Sequence, residues 1–151
     1  MIPETFRVVR HLLDRIDDSA SGMVTSDFQV EVPDYKKREA QYLVEKYGKS
    51  LYDKFPILEG VSYMNEENIE EMYLNKVWRP NLSIVAADGL PPTKMSANIV
   101  RPKTTLSCSL RLNPTFDAKS ALDLFKEKMT KNVPHNARVT VSNAVAYEGW
   151  C

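Results

Sequence analysis

Thr104-Thr105-Leu106-Ser107-Cys108-Ser109-Leu110-Arg111-Leu112 alternates strictly: Leu106, Cys108, Leu110 and Leu112 fall on one side of an extended chain, and Thr105, Ser107, Ser109 and Arg111 on the other. Successive side chains of a strand point to opposite faces, so this pattern predicts a strand with one apolar and one wholly polar face. Such a strand belongs to a sheet that is covered on one side and open on the other. Arg111 then stands on the open side, near the strand's end.

Downstream, Asn113-Pro114-Thr115 breaks the strand. A helix is predicted over residues 118–129, with Asp117 as its cap and Leu122, Phe125 and Met129 on the buried stripe. A last strand is predicted over residues 137–146, where Ala137, Val139 and Val141 alternate with Arg138, Thr140 and Ser142. Upstream, residues 81–87 read as another strand, closed by Asp88-Gly89 and by Pro91-Pro92, through which no central strand continues. Glu- and Lys-rich helices are predicted over residues 34–47 and 66–75, and a possible short strand over residues 27–32. Their charge runs are solvated helix faces. At the start, Phe6, Val9, Leu13 and Ile16 recur at helical spacing over residues 3–16, with Pro3 in the first turn and Ser19 to Gly22 ending the helix.

The resulting order is helix, insertion at about residues 20–77, strand, strand, helix, strand. This is an α+β class and the ferredoxin-like split βαβ order, an antiparallel sheet with helices packed on one face, lacking its first strand. A gap at that central position would leave backbone groups unpaired. Either the chain begins inside a domain or residues 27–32 fill the gap, and the first is the reading adopted.

The 151 residues, 43% of them hydrophobic, suffice for a single domain with one modest core. Lys plus Arg equal Asp plus Glu at 20 each, so no charge excess concentrates nucleic acid or an anionic membrane around the protein. Cys108 and Cys151 are far apart and argue against a disulfide framework, which fits a reducing, cytoplasmic location. The N-terminal residues lack a basic stretch followed by an apolar run, and nothing reaches the length of a membrane span. His11 and His135 are the only histidines, and neither has a second strong ligand at metal-site spacing. Both read as ordinary surface or boundary residues.

The stretches Trp78-Arg79-Pro80-Asn81-Leu82-Ser83-Ile84, Gly89, Asn98-Ile99-Val100-Arg101-Pro102 and Ser109-Leu110-Arg111-Leu112-Asn113-Pro114 resemble the lid domain of a zinc metallopeptidase family. That family includes carnosinase, cytosolic non-specific dipeptidase, aminoacylase, acetylornithine deacetylase and succinyl-diaminopimelate desuccinylase. The resemblance is greatest to the dipeptidase branch and covers residues 2–150. It implies a lid and dimerisation domain of a two-zinc exopeptidase or amidohydrolase whose metal-binding domain lies outside this chain. The chain itself would be inactive and bind no cofactor, while the parent holds two zinc ions. The implied partners are a second copy in a homodimer, the catalytic domain of the same polypeptide, and a peptide or acyl-amino-acid substrate.

Two residues carry over from the resemblance. Arg111 matches the arginine that holds the substrate carboxylate, a task that suits a guanidinium fork. Asn98, 13 residues earlier, matches the Asn or Thr that reaches toward the partner subunit's active site. Relatives place a proline where Arg101 stands. Taken without the resemblance, Arg111 reads as an exposed strand charge and Asn98 as a turn-forming loop residue. The alternative from another class is a stand-alone ferredoxin-like module binding a small ligand or RNA. Against RNA, the open face offers Thr105, Ser107, Ser109 and Arg111 but no aromatic on which a base could stack. An autonomous enzyme would need a nucleophile with a base, or a metal cluster, and Cys108 alternates onto the apolar side.

Overall fold

The computed structural model describes residues 2–149. Its six principal elements are α1 (Thr5–Leu13), α2 (Asp34–Tyr47), α3 (Ile69–Val77), β1 (Asn81–Asp88), β2 (Thr105–Arg111) and α4 (Ala118–Thr130). The α+β class is as expected: β1 and β2 form an antiparallel pair, backed by helices.

The ladder runs from Asn81 opposite Arg111 to Asp88 opposite Thr105, and it slips between Ile84 and Ala86, leaving Val85 as the extra residue of a bulge. Exposure alternates strictly along β2, with Leu106, Cys108 and Leu110 half-buried and Thr105, Ser107, Ser109 and Arg111 exposed. Gly89, at φ +91°, turns the chain out of β1. A Cβ there would collide with the Lys103 carbonyl and stand 3.2 Å from the Thr104 Cα, so the close of the ribbon requires glycine.

Beneath the ribbon, Ile16, Val24, Phe28 and Ala121 form a core into which Leu82, Leu110, Leu112, Phe116, Phe125 and Met129 pack. In α1 the fully buried row is Val8 and Leu12, continued by Ile16, while Phe6, Val9 and Leu13 are half-buried. Of the expected stripe Ile16 is fully buried, whereas Val8 and Leu12 take the places expected of Val9 and Leu13, because Val8-Val9 and Leu12-Leu13 offer two adjacent apolar rows and packing chose between them. Glu4 caps α1 by accepting from the Phe6 and Arg7 amides, which leaves Pro3 outside the helix. Asp117 caps α4 as predicted, its carboxylate accepting from the Ser120 amide at 2.6 Å. At the far end of α4, the Arg15 guanidinium donates to the carbonyls of Lys128, Lys131 and Asn132 at 2.6–2.8 Å. These are carbonyls that a helix end leaves without partners, and they face a cation.

Two predicted strands are absent. A 3-10 turn, Ser26–Phe28, overlaps the start of residues 27–32, and residues 29–32 join no ladder among the described residues. Phe28 enters the core under the ribbon and Val32 a second cluster with Ala40, Leu74 and Trp78, so the segment's apolar spacing serves two cores, not one sheet face. The expectation of one core is corrected accordingly. Residues 137–141 do alternate half-buried and exposed, but residues 137–146 join no ladder among the described residues. In a split βαβ unit the last strand pairs with the first, and no strand precedes α1 among the described residues. The pattern of a strand survives; its hydrogen-bonding partner is lacking.

Of the inserted helices α2 keeps the predicted bounds, whereas α3 begins after the Asn68 cap and ends at Val77, two residues beyond the predicted end. Trp78 is buried against Val32 and Ala40, and its carbonyl accepts from the buried Asn113 amide at 3.0 Å. Asn113 Oδ1 in turn accepts from the Thr115 amide and hydroxyl at 2.8 and 2.7 Å. One side chain thus ties the end of the ribbon to the insertion.

Candidate functional site

The open face of the ribbon follows from the register. Residues directly opposite each other in an antiparallel pair share a face. Asn81 therefore stands beside Arg111, and Ser83 beside Ser109, on the side away from the helices. All four are exposed. Asn81 donates to the Ser83 hydroxyl at 3.1 Å. Arg111 makes no ion pair or side-chain hydrogen bond among the described residues, leaving its N–H fork available to an anion. Asn81 was not singled out in the sequence, because its pairing with Arg111 depends on a non-local register.

Asn98 is exposed in a bend of the loop spanning residues 89–104. That loop leaves the ribbon at the Asp88–Thr105 end, whereas Arg111 is at the opposite end. At about 3.3 Å per residue the strand separates its two ends by roughly 20 Å, so the loop that carries Asn98 is rooted far from Arg111. The loop is pinned by Arg101, which pairs with the capping carboxylate of Glu4, and by a 2.7 Å hydrogen bond between the Thr5 and Thr104 hydroxyls. The Phe6 amide, followed by the Arg7 amide and Arg101, holds the Glu4 carboxyl below its usual range against the opposing effect of desolvation.

Cys108 lies on the covered face, and burial pushes its thiol up, away from the thiolate that nucleophilic chemistry needs. His11 and His135 are both exposed. Among the described residues no three His, Cys, Asp or Glu side chains come together as a metal-binding group. No helix among them is long and apolar enough to cross a membrane. Cys151 and Trp150 lie outside the described residues.

A second feature adjoins the start of β1. A cleft of about 460 Å³ opens between the insertion and the ribbon, walled by Met23, Tyr52, Phe55, Tyr63, Met64 and Met72, with Asn75, Lys76 and Asn81 also lining it. Tyr52 and Met72 are buried at its base, whereas Met64 and Phe55 are exposed. Lys76 lies 4.9 Å from the Phe55 ring centroid and has no ion-pair partner among the described residues.

No family model matches the sequence, and no curated protein does. Solved structures do match in fold. An M20 family metallo-carboxypeptidase from Sulfolobus solfataricus superposes with a TM-score of 0.60 at 17% identity over 87% of this chain and 34% of its own. Human carnosine dipeptidase 1 gives 0.56 at 20% identity, covering 85% and 27%. A di-peptidase from Saccharomyces cerevisiae gives 0.53 at 16% identity, covering 85% and 26%. This chain therefore spans about a third or less of the length of these neighbours. The resemblance carried by Trp78 to Ile84 and Ser109 to Pro114 has its counterpart in three dimensions: the chain shares the fold of one part of M20-type metallopeptidases.

Proposed function

We propose that this chain is the lid and dimerisation domain of a two-zinc exopeptidase or amidohydrolase of the dipeptidase and deacylase class. The observation that carries the reading is the exposed Arg111, without an ion pair among the described residues, on the open face of a helix-backed ribbon, in a fold shared with part of three larger peptidases. The metal centre belongs to the rest of the parent, where two zinc ions would activate a water for attack on a peptide or acyl-amino-acid bond. In this chain Arg111 binds and orients the substrate carboxylate through paired N–H donors.

Asn98 serves the partner subunit's site. The roughly 20 Å between the two ends of the ribbon favours this division, because the loop that carries Asn98 is rooted at the end away from Arg111. The free edge of β1 pairs antiparallel with its copy, burying Ile84 and Val85, which are 43% and 61% exposed in the single chain. The working compartment is the cytoplasm.

Light scattering tests the assembly: the chain runs as a dimer, and Val85→Lys shifts it to monomer without loss of helical circular dichroism. Elemental analysis finds no stoichiometric zinc, and the chain alone does not hydrolyse dipeptides. Zinc at one or two equivalents, or turnover, rejects the reading in favour of an autonomous enzyme. Salt-sensitive binding of poly-U would favour the stand-alone RNA module.

A further inference from the structure

β2 pairs only with β1 among the described residues, so the backbone groups along its other edge have no ladder partner. Residues 137–141 are in the same condition: Ala137, Val139 and Val141 are half-buried, Arg138 and Thr140 are exposed, and no ladder includes them. The two unpaired stretches run the same way. α4 leads back from the end of β2, and the chain after it returns until Gly149 packs so closely on the backbone of Pro114, just past that end, that a Cβ would collide. The helices carry a matching deficit. In α1 the row Phe6, Val9 and Leu13 is only half-buried although Val8 and Leu12 beside it are buried, and in α4 Leu122 is half-buried beside buried Ala121. These half-covered rows are ones that periodicity assigns to the covered side.

Unpaired main-chain groups on two sides specify an occupant that is itself an extended backbone, since a strand offers N–H and C=O groups to both sides at once. We infer that the free edge of β2 and residues 137–141 are the walls of a slot one strand wide, and that the slot takes a strand of about six residues from another polypeptide. Because the walls run the same way, one orientation of the guest is antiparallel to both. Its alternate residues are apolar and turn toward α1 and α4, on the side of Cys108 and Val139. The residues between them are polar and lie on the open face with Ser109 and Thr140. This surface does not depend on Arg111 as a carboxylate ligand, and it is the opposite edge of the ribbon from the one assigned above to dimer contact.

The test is a nitrogen-15 chemical-shift titration of the full chain with a short peptide of alternating valine and threonine, flanked by lysines for solubility. Saturable shifts and slowed amide exchange are expected in β2 and in residues 137–141 together. Placing the same valines consecutively removes the facing and weakens binding about tenfold. A strand paired on both sides uses every one of its N–H groups, so proline at either of two adjacent central positions weakens binding about tenfold. Val139→Lys sets a charge in the wall and weakens it similarly, whereas Val85→Lys, in β1, leaves the affinity unaltered. Loss at only one of the two proline positions marks a single edge and overturns the slot. Indifference to the order of the valines, shifts confined to β1, or no saturable shift overturns it as well. Protection of residues 137–141 that grows with chain concentration in the absence of peptide also overturns it, by assigning the slot to a second copy.

Discussion

Phe28 and Val32 are four residues apart, yet they are buried in different cores. Phe28 joins the layer between the β-ribbon and α4, where its ring lies 6.5 Å from that of Phe116 and is flanked by Leu82, Leu110, Leu124 and Phe125. Val32 joins the insertion, where Ala40, Leu74 and Trp78 supply a smaller cluster edged by Tyr73 and Val77. The first core is assembled from elements with clear periodicity, each presenting a whole apolar face. The second is assembled from single residues on polar helices, and exposed aromatics such as Tyr35, Tyr42 and Tyr47 remain around it. The difference teaches that a regular pattern yields a broad core, whereas a polar sequence can still close a local one if a large ring such as Trp78 is available.

The sharpest way to break this contrast is to empty the larger core. Phe28 is 0% exposed, and Phe28→Ala is expected to cost about 3–5 kcal/mol, read as a fall in the urea midpoint of the whole chain. A midpoint within error of the parent chain's would mean that the two cores do not differ in weight as described.

Next comes the tie between them. Asn113→Ala leaves the Trp78 carbonyl and the Thr115 amide without their partner and is expected to cost about 2 kcal/mol. Hydrogen exchange checks where the loss falls: protection in α2 and α3 should drop more than in β2. Uniform loss would show that Asn113 does not couple two separable regions.

The smallest effect is a pH dependence confined to the insertion. The Tyr73 hydroxyl donates to the Glu39 carboxylate at 2.6 Å. Burial, then the hydrogen bond and the charge of Glu39, push the Tyr73 pKa up to about 12. The folded insertion therefore holds a proton that the unfolded chain releases near pH 10, so stability is complete below about 10 and declines as pH rises toward about 12. Glu39 has the opposite sign. Its carboxyl is lowered by the Tyr73 hydroxyl and then by Lys36, so its contribution is present above the ordinary Glu value of 4.5 and is lost as pH falls through the depressed one. Tyr73→Phe should remove the alkaline limb and weaken the acid one, which Lys36 still supports, at a cost of about 1 kcal/mol, discounted because Glu39 is partly exposed. Alkaline exchange or tyrosinate absorbance checks it, and an unaltered pH profile in the variant would remove the pair from the account.

The legible parts of the fold were those whose signal repeats along the chain. The alternation over residues 104–112 and the Asp117 cap were read with their boundaries nearly intact, because strand facing and helix capping depend on neighbours in sequence. The α1 stripe was misplaced by one residue at Val9 and Leu13, where two apolar rows lay side by side. The apolar spacing in residues 27–32 allows a short strand, whereas the segment bridges two cores. The Arg15 clasp on the end of α4 gave no local signal, since its partners are more than 100 residues away.

For the candidate site, the side of the ribbon on which Arg111 stands was determined by sequence alone, because side-chain period is a property of the backbone. Its neighbour Asn81, the root of the Asn98 loop at the opposite end of the ribbon and the cleft that Asn81 lines were decided only by tertiary structure. Register, bulge and packing place together residues that share no local pattern. The unpaired segment at residues 137–146 shows the same limit: a strand's facing is written within it, but its hydrogen bonds require another strand.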